Sequence, residues 1–217
     1  MNDLFTSAGI AITTGPDWSA EMSILSENGG LVCGIDEVGR GPLAGPVVAA
    51  AVILDPEKIP QGLNDSKKLS EKRRAYLYAL IKETAIAVSV AEASVAEIDD
   101  INILQASMLA MRRAMGGLSV RPSCALVDGN RDPNLRIPTR TLVKGDSRSL
   151  SIAAASIIAK VFRDELMKKL AKDYPEYGWG KNAGYGVAYH LAALKIVGVS
   201  PHHRRSFSPI RNILSEE

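Results

Sequence analysis

The sequence predicts one α/β domain. Short apolar runs of strand length alternate with segments of helical period, and Gly, Pro or Asp-Gly breaks separate the two. At 217 residues, with 46% hydrophobic and 23% charged residues, the chain can bury one sizeable core and carry a small appendage.

The elements follow in chain order. Residues 1–29 are polar and mixed and read as an N-terminal extension, broken at Gly15-Pro16 and Gly29-Gly30. Within it Trp18, Met22 and Leu25 recur at near-helical spacing after Asp17, which predicts a short helix packed on the body. Residues 30–217 read as the main domain. Leu31 to Glu37 and Pro46 to Leu54 are strands joined by a Gly-Pro-rich turn. Ser70 caps a helix running to about Glu83, with Arg73 and Arg74 on its outer face. Ala85 to Ala93 is a third strand, in which Ile86, Val88 and Val90 alternate. Ile103 to Met115 is helical and stops at Gly116-Gly117. Ser123 to Val127 is a short buried strand that leads into Asp128-Gly129-Asn130, and Arg140 to Val143 leads into Lys144-Gly145-Asp146. Ser149 to Ala171 is a long helix. Its first half is nearly all small or apolar, and its second half turns Lys160, Arg163, Asp164, Lys168 and Lys169 outward. A further helix runs from about Val187 to Ile196, after Gly184-Tyr185-Gly186.

Composition narrows the function. The net charge is only +2, but from Gly178 to Ser215 there is no Asp or Glu, while Lys181, Lys195, Arg204, Arg205 and Arg211 are present. A basic C-terminal region beside an acidic site suits a polyanion held near metal ions. Cys33 and Cys124 sit in apolar runs and read as buried reduced thiols, and no zinc-ligand spacing exists. The N-terminus lacks a basic segment followed by an apolar core, and no apolar run approaches the ~18 residues of a membrane span. No membrane contact and a cytoplasmic location are therefore expected.

The chemistry concentrates at the strand ends. Asp36-Glu37, Asp128 and Asp146 each follow a buried strand, and in open sheets such positions converge on one site. Four carboxylates from three segments suit a pair of hard divalent cations, which two-metal sites hold about 3.5–4 Å apart. Adjacent strand residues face opposite ways, so Asp36 and Glu37 both reach metal only if the strand ends, twists or bulges there. Gly39-Arg40-Gly41 places a cation between two glycines where backbone can approach a ligand closely. Asp128 and Asp146, in Asp-Gly and Gly-Asp pairs, are also ordinary turn formers, whereas Asp36-Glu37 has a buried approach. His190 reads as structural, His202 and His203 as nucleic-acid contacts or packing residues, and Trp179 as a lid or a packing residue. Lys160 and Arg163 read as partners of acids or phosphates. Glycines 39, 41 and 45 do not form a P-loop, because no Gly-Lys-Ser/Thr follows.

Together these residues resemble a known family. Gly34-Ile-Asp-Glu-Val-Gly-Arg-Gly-Pro-Leu-Ala-Gly-Pro46 is similar to the first motif of bacterial ribonuclease HII, the type 2 ribonuclease H family. So are Asn64-Asp-Ser-Lys-Lys-Leu-Ser70, Val127-Asp-Gly129, Lys144-Gly-Asp146 with Ser151 to Lys160, Gly184-Tyr-Gly186, and His202 to Phe207. The motifs occur in family order over about residues 31 to 210.

The resemblance implies a ribonuclease H-like fold, with a mixed central sheet flanked by helices and a C-terminal helical region. It implies endonucleolytic cleavage of RNA in RNA/DNA hybrids and at single ribonucleotides embedded in duplex DNA, leaving 3′-hydroxyl and 5′-phosphate ends. Asp36, Glu37, Asp128 and Asp146 match the family's acids and are the expected ligands of Mg²⁺ or Mn²⁺. Gly39, Arg40 and Gly41, with Tyr185, match the residues that read the 2′-hydroxyl. Ser66, Lys67 and Lys68 match phosphate contacts. A monomer is expected, and a sliding-clamp contact is left open, with no recognised motif for it. A resolvase-like DNA nuclease and a non-catalytic hybrid-binding module remain the alternatives.

Overall fold

The structure is a computed structural model and describes residues 15–216; the first part of the expected N-terminal extension, residues 1–14, lies outside the described residues. Its centre is a five-stranded sheet of β1 (Val32–Val38), β2 (Val47–Ile53), β3 (Ala87–Ala93), β4 (Cys124–Asp128) and β5 (Thr139–Leu142), in the order β3-β2-β1-β4-β5. The first three strands are antiparallel, while β4 runs parallel to β1 and β5 parallel to β4. The mixed sheet matches the expectation.

Alternation along the strands sorts residues between two helical layers. Cys33, Ile35, Val47, Ala49 and Ala51 face α3 (Val95–Gly116) and meet Ala106, Met111 and Ala114. Val48, Ala50 and Val52 face the other way, toward α4 (Leu150–Asp173) and α2 (Glu71–Thr84). Small residues on both sides of that second layer let α4 lie directly on the sheet. Gly34 of β1 is the tightest point, because a Cβ there would stand 2.1 Å from the Ser151 carbonyl carbon.

Local signals account for most boundaries. The Ser70 side chain caps α2 through the Arg73 N–H, and Ser149 caps α4 through the Ile152 N–H. α3 begins eight residues before the expected Ile103. Ser94 and Glu97 form a capping box at its start, and Asn102 breaks it with φ of 65°. The Asn102 carboxamide then accepts from the Leu104 and Gln105 N–H groups and recaps the second segment. β3 starts at Ala87, which leaves Ile86 outside the strand and exposed.

The described part of the extension forms α1 (Ser19–Asn28). Trp18, Ile24 and Leu25 pack against Val32, Leu126 and Ile152, whereas Met22 is 57% exposed and takes no part in the packing expected of it. The buried Glu21 carboxylate accepts from the Ser149 hydroxyl at 2.6 Å and the Ser151 N–H at 2.8 Å. An acid from α1 thus answers the free N–H groups at the start of α4.

The C-terminal region adds α5 (Trp179–Asn182), α6 (Ala188–Val197) and α7 (Ser208–Glu216) around Leu43, Met167, Tyr177, Trp179 and Ile210. Trp179 is a packing residue, 1% exposed and stacked on Tyr177. Among the described residues no helix is long and apolar enough to cross a membrane.

Candidate active site

The strand order places β1 beside β4, so the acids that follow them become neighbours. Pairing between β1 and β4 stops at Ile35↔Val127, and Asp36 and Asp128 come next on each strand. β1 keeps its register with β2 through Glu37↔Ala49 and Val38↔Val48, so no bulge occurs, but its pairing with β4 ends before the acids. Asp36 shares the α4 face of the sheet with Asp128. The next residue, Glu37, alternates from it, yet its buried carboxyl still feels Asp128, and it meets Arg40 at 3.3 Å. Asp146 lies in a 3-10 turn (Gly145–Ser147) immediately before α4, and the left-handed Lys144 sets up that turn.

Neighbouring carboxylates help raise the pKa values of Asp36, Glu37 and Asp146, and Asp36 feels the other three acids. Burial pushes the Asp36 carboxyl well above the usual carboxylate range, and Glu37, Asp128 and Asp146 push it further. Burial also raises Glu37, an effect that Arg40 opposes and Asp128 reinforces. Asp146 is raised by burial and then by Asp65 and Asp128. Asp65, inside the Asn64-to-Ser70 motif, is a further acid beside Asp146 that residue type alone does not single out. Its only distinguishing signal was that position, one residue before Ser66.

Two of the acids accept hydrogen bonds from backbone N–H groups within the site. The Asp36 carboxylate accepts from the Glu37 N–H at 2.8 Å, and Asp128 Oδ1 accepts from the Gly145 N–H at 2.6 Å. Among the described residues no three His, Cys, Asp or Glu side chains are arranged to hold a metal ion as they stand. The donor set nevertheless fits a hard divalent cation. All four groups are carboxylates, their mutual repulsion calls for a counter-charge, and the buried Glu37 Oε2 has no hydrogen-bond partner.

The expected substrate contacts surround this cluster. Burial disfavours the charged Lys67 ammonium, but Asp65, Asp36, Asp146 and Asp128 outweigh it and raise its pKa. Lys68 Nζ donates to the Ser147 hydroxyl at 3.1 Å, beside Asp146. Ser66 is buried beneath them, with its carbonyl held by Arg74. Tyr185 is 47% exposed, and its ring lies 3.5 Å from where a Gly41 Cβ would be. The Gly39-Arg40-Gly41 turn and Tyr185, 144 positions apart from Gly41, therefore form one surface.

Behind Tyr185 runs a buried polar chain. The Ser200 N–H donates to His203 Nδ1 at 3.0 Å, which puts the proton of that ring on Nε2. Nε2 lies 2.9 Å from His190 Nε2, which also accepts from Trp179 Nε1 at 3.1 Å. His190 Nδ1 is then left to donate to the Tyr185 carbonyl at 2.9 Å. These histidines pack rather than contact solvent. Burial, with His190 adding to it, pushes His203 down to about 4 from an ordinary 6.5. The unfolded chain therefore binds this proton first as pH falls. The stability due to neutral His203 is complete above about pH 6.5 and is lost as pH drops toward about 4. Urea midpoints between pH 7 and 5 should fall less steeply for His203→Phe than for the parent; equal slopes would refute the burial of a neutral imidazole.

Two basic residues read as surface cations are buried. Arg163, expected on the outer face of α4, is 1% exposed, and Arg204, expected in a basic tail, is 0% exposed. Both donate to backbone carbonyls, because the loop after β1 folds over them and supplies unpaired acceptors. Lys160 does pair with an acid, Asp164, at 2.7 Å.

Comparison with known proteins places the chain in a family. A family model described as Ribonuclease HII matches residues 33–210. The chain is 60% identical over 199 residues to the Ribonuclease HII of Paramagnetospirillum magneticum, covering 90% of this chain and 96% of that one. It is 62% identical over 186 residues to the Ribonuclease HII of Dechloromonas aromatica, covering 86% and 95%. Among solved structures, the ribonuclease H2 of Pyrococcus horikoshii superposes with a TM-score of 0.73 at 28% identity, over 86% of this chain and 98% of that one. The RNase HII of Archaeoglobus fulgidus, solved in complex with PCNA, gives 0.71 at 26% identity, over 82% and 96%. A Bst-RNase HIII solved with Mn²⁺ shares the fold, with a TM-score of 0.67 at 22% identity over 86% of this chain and 70% of that one.

Proposed function

This chain belongs to the ribonuclease HII family, and from that membership we propose that it cuts the RNA strand of RNA/DNA hybrids and also nicks duplex DNA at single embedded ribonucleotides. It is a metal-dependent hydrolase of the ribonuclease H class. The observation that carries the finer reading is the contact between the Gly39-Arg40-Gly41 turn and Tyr185 beside four mutually repelling carboxylates. A site for one ribose sits next to a site for phosphodiester chemistry.

Asp36, Glu37, Asp128 and Asp146 would hold Mg²⁺ or Mn²⁺. When bound, two such ions supply an activated water and neutralise charge on the leaving oxygen of an in-line displacement, which leaves 3′-hydroxyl and 5′-phosphate ends. The chain's own residues position the strand. Backbone N–H groups of the glycine turn meet the 2′-hydroxyl, the one group that separates ribose from deoxyribose. Tyr185 offers an exposed ring to the neighbouring sugar. Lys67 and Lys68, on the Ser66 turn, hold phosphate without reading base sequence. Lys67 also places a positive charge among the acids, which keeps the metal-free site from repelling the strand outright. A sliding-clamp contact rests only on likeness to the Archaeoglobus fulgidus protein.

The test is a duplex DNA carrying one ribonucleotide, incubated with purified protein and Mg²⁺ or Mn²⁺. A single nick at the ribonucleotide, absent from the all-DNA duplex, is expected. An intact ribonucleotide duplex alongside a cut all-DNA duplex would overturn the reading in favour of a DNA nuclease. Tight binding without cleavage in either metal would overturn it in favour of a binding module.

A further inference from the structure

Arg204 and Arg163 are the least expected buried groups in the molecule. A guanidinium is seldom buried without an acid, because its lost hydration must be replaced. Among the described residues neither forms a salt bridge with a carboxylate. Each spends its N–H groups on backbone carbonyls instead. Arg204 donates to Gly45 at 2.9 Å, Arg40 at 2.9 Å and Gly39 at 2.5 Å. Arg163 donates to Pro46 at 3.1 Å, Ala44 at 3.1 Å and Ala183 at 2.9 Å.

We propose that Arg204, backed by Arg163, is a positioning residue for ribose recognition, holding the Gly39–Gly41 backbone so that two consecutive N–H groups face the substrate's 2′-hydroxyl. This rests on the reading of that turn as the ribose sensor. In a trans peptide the N–H points opposite to the preceding carbonyl. With the Gly39 and Arg40 carbonyls drawn inward to Arg204, the Arg40 and Gly41 N–H groups are directed outward. No backbone carbonyl among the described residues accepts from either of them. A cation on the carbonyl side also polarises each peptide and strengthens its N–H as a donor, an effect that low local dielectric enhances. An apolar side chain of equal volume could fill the same space but could not orient two peptide planes.

The fit around the guanidinium planes agrees. Gly39 has φ of 93°, and a Cβ there would stand 2.2 Å from Arg163 Nε. Arg204 is held in turn. Phe207 lies across its guanidinium at 5.0 Å, and the Arg204 N–H donates to the Leu43 carbonyl at 2.9 Å. The next two residues, Arg205 and Ser206, donate their N–H groups to the Asp99 carboxylate of α3 at 3.0 and 2.9 Å. Arg163 reaches Ala183, two residues before Tyr185, so the pair ties both halves of the proposed sensor together.

The experiment measures affinity in Ca²⁺, in an Asp128→Asn background, for a duplex with one embedded ribonucleotide and for the same duplex in DNA only. Arg204→Lys keeps the charge and most of the bulk but cannot grip two carbonyls at once. The ratio of the two affinities should fall about tenfold, the effect of losing one well-made hydrogen bond. Affinity for the all-DNA duplex should stay within about twofold. An unchanged ratio, or equal loss on both duplexes, overturns the role of Arg204. A background protein that shows no ribose preference overturns the reading of the turn itself, so the two failures are separable. If Arg204→Lys does not fold, Asp99→Ala loosens the same segment from α3. There the ratio should fall about threefold at constant all-DNA affinity, and an unchanged ratio overturns the proposal.

Discussion

Asp128→Asn is expected to lose turnover by about a thousandfold or more while keeping its fold and its affinity for duplex in Ca²⁺. The substitution is conservative where it matters for structure. Asp128 Oδ1 accepts from the Gly145 N–H, and a carboxamide oxygen can accept that bond unchanged. What disappears is one negative charge from a cluster in which Asp36, Glu37 and Asp146 all feel Asp128. Removing a like charge lowers repulsion, so the metal-free melting temperature should hold or rise. Gel assays of cleavage, duplex titration in Ca²⁺ and a thermal melt separate the alternatives. A fall in melting temperature with loss of binding would assign Asp128 a structural role. Retained turnover would remove it from the metal site.

Gly34→Ala should cost about 3 kcal/mol or more of folding stability. The φ of Gly34 is not the issue; space is. A Cβ there would stand 2.1 Å from Ser151 C and 2.4 Å from both Ile152 N and Ser151 O. These are backbone atoms at the start of α4, so no side chain can swing aside. The helix itself must lift from β1, and Asp146 stands just before that helix, so activity should fall with stability. Gly116→Ala is the matched control, since a Cβ there meets nothing within 4 Å. It should be neutral or stabilising by up to about 1 kcal/mol through helix propensity. Urea denaturation of the two variants checks both values. A Gly34→Ala loss below about 1 kcal/mol would mean that α4 relaxes freely on the sheet.

Much of the fold is legible along the chain because its determinants are local. Ser70 caps the helix it was expected to cap, and Ser149 caps the long helix expected to begin at it, since a side chain three residues from an N–H needs no tertiary partner. The apolar runs at 31–37 and 46–54 became β1 and β2 within a residue or two. The first turns of α3 went unread, because Asn102 interrupts the helical period and its recapping can be seen only in backbone angles. α7 went unread as well. Its apolar residues Ile210, Ile213 and Leu214 are few, and they pack into a cluster with Tyr177 and Trp179, which belong to other elements. At the site, the four acids and the glycine turn stand out as residue types at strand ends. Asp65 does not, because an Asp before a 3-10 turn is an ordinary cap until Asp146 is found beside it.

Arg163 and Arg204 show where the boundary lies. From sequence alone each is a cation in polar company, and a cation defaults to solvent. Burial became available only when residues 39–46 folded back against α4 and the C-terminal segment, bringing carbonyls more than 100 positions away within reach. The sequence by itself determined the chemical inventory: four carboxylates, a glycine-flanked arginine, a tyrosine between glycines, and the strands and helices that carry them. Tertiary structure decided which of these meet. The order β3-β2-β1-β4-β5 puts Asp36 beside Asp128, the close seat of α4 on Gly34 brings the turn of Asp146 to that edge, and two buried guanidiniums hold the carbonyls of the glycine turn. Capping and periodicity act over a few residues and can be read locally, whereas desolvation and close packing depend on neighbours that only the folded chain supplies.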